Sequence, residues 1–182
     1  MRAAEGELRG DHYSGLFTGL VRLEPGFYTG KDVLDIGCGP RGSLNWAEMA
    51  RRRVGLDPLA EDYRELGIDS HPMEYVAAAA EEMPFDAGGF DVITSFNSLD
   101  HVEDLDRTIA EVKRVLRPGG HLVLVVEVGH EPTWSEPQTI AWDVCARFGP
   151  ELEVVHSHEY ERSGENIYAD AWAGRAFDHS DP

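Results

Sequence analysis

The sequence predicts an α/β fold, a doubly wound (Rossmann-like) and largely parallel sheet covered by helices, and three observations predict it. Short β-branched runs alternate with amphipathic stretches from Asp32 onward. A glycine-rich turn, Gly37-Cys38-Gly39-Pro40-Arg41-Gly42, follows the first of those runs directly. An acid, Asp57, stands at the end of the second run, twenty residues beyond Gly37.

Val33-Leu34-Asp35-Ile36 reads as a buried strand running into glycine, followed by a helix over 43–51. Val54-Gly55-Leu56 is the second strand, and a helix over 59–66 is closed by Gly67. A weaker strand over 74–78 and a fourth strand over 91–96 come next. Leu105, Ile109, Val112, Val115 and Leu116 then recur at helical spacing. Asp104 is placed to cap that helix, and Pro118-Gly119-Gly120 forbids its continuation. Residues 122–128 are nearly all apolar, as in a central strand buried on both faces. A helix is expected over 137–148. Two strands, 152–160 and 167–173, joined at Ser163-Gly164-Glu165, read as an antiparallel hairpin. The chain divides into an N-terminal lid or acceptor segment (1–30), the main domain (31–177) and a disordered tail (178–182).

With 182 residues the chain can bury one full hydrophobic core. Its 34 acids against 16 basic residues give a net charge of −18, which argues against nucleic acid or an anionic membrane as partner. The one basic run, Arg51-Arg52-Arg53, falls where the first helix should end, and cations there complement a helix C-terminus. No stretch approaches the ~20 apolar residues of a membrane span, and the first ten residues lack the apolar run of a signal peptide. Cys38 and Cys145 are the only cysteines, so reduced thiols and a cytoplasmic setting are expected.

Glycines between a strand and a helix let the backbone turn sharply and approach a ligand near free helix N–H groups. Asp57 can accept hydrogen bonds from both hydroxyls of a ribose. Together they specify a nucleoside ligand at a topological switch point, without saying which one. The spacing Gly37, Gly39, Gly42 satisfies the dinucleotide fingerprint, a weak signal alone. Asp35 is awkward for that ligand, because a pyrophosphate would sit near its negative charge. A ligand carrying an ammonium and a sulfonium tolerates it.

Five segments in order resemble the class I S-adenosylmethionine-dependent methyltransferases, in particular the branch acting on small molecules. They are residues 33–39, Gly55-Leu56-Asp57, Ala80-Glu81-Glu82-Met83-Pro84-Phe85, the pair Phe90-Asp91-Val92-Ile93 and Leu99-Asp100-His101-Val102, and Leu116-Arg117-Pro118-Gly119-Gly120. The resemblance implies a mixed seven-stranded sheet whose antiparallel C-terminal hairpin supplies strands six and seven. It implies S-adenosyl-L-methionine as cofactor, held by Asp35, Gly37, Cys38, Gly39, Asp57, Pro58, Ala80, Glu81 and Asn97. It further implies methyl transfer to an oxygen, nitrogen or carbon of a small molecule. The alternative is a catalytically silent protein that keeps the fold as a binding module or scaffold. One departure is Ala79, where many relatives carry an acid or amide facing the adenine.

Asp35 has two readings: bonding backbone N–H groups of the loop, or accepting the methionine ammonium through water. Glu81 is either an adenine contact or a solvated acid, and Cys38 a small filler of the cofactor loop. His130 and His101 follow the carboxyl ends of strands five and four, and each is a candidate general base, His130 the better placed. Tyr13 and Trp134 are candidate walls of the acceptor site, in segments that also hold His12, Phe17 and Phe27. Those segments are short, so the acceptor is small or a second subunit, as in a homodimer, completes the site. His156 and His158 share a face of one predicted strand, but no third ligand has recognisable spacing, and no metal site is expected.

Overall fold

The computed structural model describes residues 13–164 and 168–180. They fall into two compact units, Met1–Trp142 and Asp143–Pro182. The first contains the sheet. Its strands are β1 (Asp32–Ile36), β2 (Arg52–Leu56), β3 (Glu74–Val76), β4 (Phe90–Phe96) and β5 (Leu116–Val125), in the order β3-β2-β1-β4-β5. Every pairing is parallel. Central β1 is buried at all five positions, with Leu34 facing Val54 on one side and Ile93 on the other. That continuous apolar run is what a strand covered on both faces requires.

The helix Leu105–Val115 forms where the periodicity places it and buries Leu105, Ile109, Val112 and Val115. The Asp104 side chain accepts the Arg107 N–H at 3.0 Å, satisfying one of the donors a helix start leaves unpaired. At its other end Leu116 already pairs with Phe90. The chain then bulges through residues 117–120 and rejoins the ladder at His121 opposite Val92. The Arg117-Pro118-Gly119-Gly120 turn thus ends the helix and lies inside β5.

Several expectations need correction. The sheet has five parallel strands among the described residues, not seven with an antiparallel hairpin. In the second unit, residues 152–159 form no strand, Val154 and Val155 are exposed, and one antiparallel bridge joins Tyr160 to Ala176. Part of the second expected strand is instead the helical turn Ala169–Trp172. Alanine is a poor strand former, and Asp170 fixes the turn by accepting the Ser163 N–H and hydroxyl and pairing with Arg175. Glu165 and Ile167 lie outside the described residues.

As a consequence β5 lies at the sheet's edge, and residues 122–126 are half-buried rather than enclosed on both faces. Residues 43–51 form successive i→i+3 turns instead of a helix, through bonds such as Ala47 N–H to Leu44 O and Ala50 N–H to Ala47 O. The backbone that would continue an α-helix is diverted: Met49 O accepts the Gly30 N–H, and Arg51 N–H donates to Lys31 O. Arg51, Arg52 and Arg53 therefore complement no helix end. Arg51 pairs with Asp32 and Asp91, Arg52 with Glu74, and Arg53 donates to Asn45 O. The helix expected over 59–66 is a 3-10 helix, Asp62–Leu66, closed by Gly67 as expected. That over 137–148 is a 3-10 helix, Val144–Phe148. In the expected tail, His179 pairs with Glu159 and Ser180 bonds Asp178. Residues 181–182 lie outside the described ones, as does His12.

Candidate functional site

The carboxyl ends of parallel strands leave a crevice where the connections diverge, and ligands bind there in open α/β sheets. β1 delivers Asp35 and the glycine turn to it, β2 delivers Asp57, and β4 delivers Asn97 to His101. Gly37 turns the chain at φ 72°, and a Cβ at that position would collide with Ser98. Only glycine fits a left-handed turn packed so closely. Ser98 in turn donates to Ile36 O at 2.7 Å, so the β1 and β4 exits are tied together. Asn97 takes φ 52°, a conformation asparagine tolerates better than most residues, and its N–H donates to Val125 O at 2.7 Å.

Asp35 is buried, and its carboxylate accepts from two hydroxyls, Ser43 at 2.5 Å and Thr94 at 2.6 Å. The first expected role does not describe this: the acid bonds side chains, not loop N–H groups, and so pins the glycine turn to β4. Burial pushes its pKa up to about 7; the two hydroxyl bonds oppose that shift and the nearby Asp57 charge adds to it. Asp57 is also buried. It accepts the Gly39 N–H at 3.0 Å, the Leu59 N–H at 3.0 Å and the Tyr63 hydroxyl at 3.1 Å. A carboxylate has about four acceptor positions. Three are in use, one by a hydroxyl that a ligand hydroxyl can replace.

Cys38 is buried against β2: a Cβ on Gly55 would lie 2.5 Å from its sulfur, so the glycine of Val54-Gly55-Leu56 makes room for the thiol. Burial raises the thiol's pKa, with Asp35 and Asp57 adding to the effect. Its side chain is a filler, and only its backbone borders the turn. Ala80 is buried, whereas Pro58 and the neighbouring Leu59 are exposed. Glu81 Oε1 accepts the Glu103 N–H at 2.7 Å and the Asp104 N–H at 3.0 Å. It is therefore neither a purely solvated acid nor free to turn fully toward a ligand.

The N-terminal aromatics divide. Phe17 is core, stacked on Phe96 with ring centroids 4.3 Å apart, and Phe27 packs on Tyr28 and under Lys31. Tyr13 borders the glycine turn, where burial and then Asp35 raise its hydroxyl's pKa. Trp134 is 99% exposed and stands in solvent rather than forming a wall.

Both candidate bases are drawn to one acid. Asp100, on the 3-10 turn Leu99–His101, is buried. His101 Nε2 lies 3.9 Å from its Oδ1 and His130 Nε2 3.5 Å from its Oδ2. The other nitrogens meet backbone carbonyls, His101 Nδ1 that of Ser135 at 2.8 Å and His130 Nδ1 that of Glu131 at 3.0 Å. Sequence reasoning treated these histidines separately and passed over Asp100 as their shared centre. It also missed Ser43, Thr94 and Tyr63. The signal for Thr94 was a polar residue inside an apolar strand, which only the register Asp35↔Thr94 makes meaningful.

A methyltransferase-domain family model matches residues 34–124. Over 134 residues the chain is 37% identical to the ubiquinone/menaquinone biosynthesis C-methyltransferase UbiE of Psychromonas ingrahamii, covering 71% of this chain and 51% of that protein. An S-adenosylmethionine-dependent methyltransferase from Mesorhizobium loti aligns at 30% identity with a TM-score of 0.50, over 56% of this chain and 49% of its own. The YcgJ protein of Bacillus subtilis shares the fold at a TM-score of 0.60 and 21% identity, over 75% of this chain and 65% of its own. The chain spans about half or less of the length of the curated relatives it matches.

Proposed function

The chain belongs to the class I S-adenosylmethionine-dependent methyltransferases, and from that premise we propose that it transfers the methyl group to an oxygen, nitrogen or carbon of a small-molecule acceptor. One observation carries this: Asp35 and Asp57 lie buried side by side at the carboxyl ends of β1 and β2, bonded among the described residues only to neutral donors. A crevice of that sign suits a cationic nucleoside and repels a pyrophosphate. The residues therefore fit the cofactor.

When bound, S-adenosylmethionine supplies a methyl on a sulfonium already activated for transfer. The chain's own work is then to hold, align and keep water out. Asp57 would receive the ribose hydroxyls in place of Tyr63. Asp35 acts through position, fixing the glycine turn that the backbone of Gly37, Cys38 and Gly39 presents. Pro58, Ala80, Glu81 and Asn97 would border the nucleoside, and Tyr13 overhangs the same turn. Both nitrogens of His101 and His130 already face Asp100 or a carbonyl, so alignment, not a free imidazole base, is the chemistry proposed here.

No described helix is long and apolar enough to cross a membrane. Both thiols are free, which supports a cytoplasmic setting. The net charge of −18 supports a small-molecule partner over nucleic acid. A homodimer, in which a second subunit completes the acceptor site, is the alternative to a small acceptor, and light scattering distinguishes them. The deciding experiment is calorimetry with S-adenosylmethionine, its demethylated product and NAD. The first two should bind and NAD should not. Asp57→Ala should weaken cofactor binding by about 2 kcal/mol or more, as charge-assisted bonds are lost. Undiminished affinity in that variant would refute the ribose role.

A further inference from the structure

We propose that Asp100, His101 and Glu136 form a binding site for a divalent transition-metal cation, with His130 against the other oxygen, Oδ2, of the Asp100 carboxylate. Their donor atoms lie within 4.8 Å of one another. The Asp100 side chain is 3% exposed, yet among the described residues its Oδ1 has no hydrogen-bond partner, and neither has the buried His130 Nε2. A buried carboxylate oxygen left without a donor is costly, so something other than a protein N–H or O–H should satisfy it.

Proton positions follow from the partners. A backbone carbonyl only accepts, so His101 Nδ1 and His130 Nδ1 each carry the hydrogen they donate to Ser135 O and Glu131 O. In the neutral rings both Nε2 atoms are then bare lone pairs, and both face Asp100, at 3.9 and 3.5 Å. Lone pairs and a carboxylate converging in this way repel one another unless a cation lies between them. Histidines that bind metals are held by just this kind of bond from the other ring nitrogen to a carbonyl. Two atoms each ~2.1 Å from a tetrahedral ion lie ~3.4 Å apart, so the His101–Asp100 separation of 3.9 Å needs about half an ångström of contraction, and the widest of the three, up to 4.8 Å, needs a side-chain shift of about 1.4 Å.

The third ligand comes from the same turn that orients the first histidine. Thr133 N–H donates to Glu136 O at 2.9 Å and the Glu136 N–H to Thr133 Oγ1 at 3.0 Å. That turn presents the Ser135 carbonyl to His101 and the Glu136 carboxylate to the site. A second tie, Gln138 N–H to Asp100 O at 3.1 Å, holds this loop on the exit of β4. His101 is 47% exposed, which gives an ion a way in. Mixed imidazole and carboxylate ligands select a borderline ion such as Zn2+ or Co2+ over Ca2+. No metal site is expected from the sequence, because Asp100 and Glu136 are 36 positions apart and meet only in the fold.

The test uses the whole chain, treated with chelator and then dialysed. Calorimetry with Zn2+ and the visible ligand-field absorption of Co2+ should show one ion per chain. His101→Ala and Asp100→Asn should each weaken binding by roughly 10-fold or more, and His158→Ala should leave it unchanged. His101 is half-exposed, so its variant should fold even if the buried Asp100 variant does not. No binding in the unaltered chain, full binding in His101→Ala, or loss in His158→Ala would each overturn the site. Cofactor affinity, measured on the same samples, separates a failure here from a failure of the methyltransferase reading.

Discussion

At the amino end of the sheet, Asp32 and Asp91 are matched by arginines. Asp32 takes both arms of Arg51 at 2.7 Å and Arg117 at 3.0 Å, and Asp91 pairs with Arg117 at 2.6 Å and Arg51 at 3.3 Å. At the carboxyl end, Asp35, Asp57 and Asp100 are more deeply buried, yet none forms an ion pair with an arginine or lysine among the described residues. The same residue type thus does two things in one sheet. Where cations surround it, the charge is neutralised within the protein, and Asp32 is held below its ordinary pKa chiefly by the Arg51 hydrogen bond. Where only hydroxyls, N–H groups or, at Asp100, imidazoles surround it, the charge is left to repel its neighbours or to meet a cationic ligand.

The sharpest way to break this contrast is to remove the charge from Asp35. Its pKa rises from 3.8 to about 7 in the fold. A raised value means that the protonated acid contributes its full stability below pH ~4, and that this is lost as pH climbs toward ~7. Asp35→Asn keeps the shape without the titration. Relative to that variant, the natural chain should lose up to about 4 kcal/mol between pH 4 and pH 8. Urea denaturation at several pH values measures this, and parallel curves for the two proteins would end the argument.

Gly37→Ala should follow, at roughly 2–3 kcal/mol, since it combines a positive φ with a collision at Ser98. A thermal melt close to that of the natural chain would show that the β1 and β4 exits are less tightly joined than described. The smallest effect belongs to the amino end. Asp32→Asn should cost about 1 kcal/mol or less and the loss should shrink with added salt, because its partner Arg51 is exposed and Arg117 half-exposed. A large or salt-insensitive loss would erase the distinction between the two ends.

The elements legible in the sequence were those that local chemistry settles. Apolar runs made β1, β2 and β4, the period of Leu105 to Val115 made the helix, and Asp104 capped it as its residue type allows. The glycine turn and Asp57 were legible because backbone approach to a ligand restricts residue type at fixed spacing. Elements dependent on distant partners were misread. The segment 43–51 has helical composition but yields its backbone bonds to residues 30 and 31, and the expected hairpin segments place an alanine-rich turn around Asp170.

Sequence by itself therefore determined the parallel α/β centre, the family and the acids at the strand ends, because each rests on short-range pattern and residue type. Only the tertiary structure decided what surrounds those acids. Asp35 meets Thr94, 59 positions away, through strand register, and Asp100 meets His130 and Glu136 through a loop folded back on the β4 exit. A carboxylate's charge state and its use depend on donors within a few ångströms, and in this chain those donors come from parts of the sequence that only folding brings together.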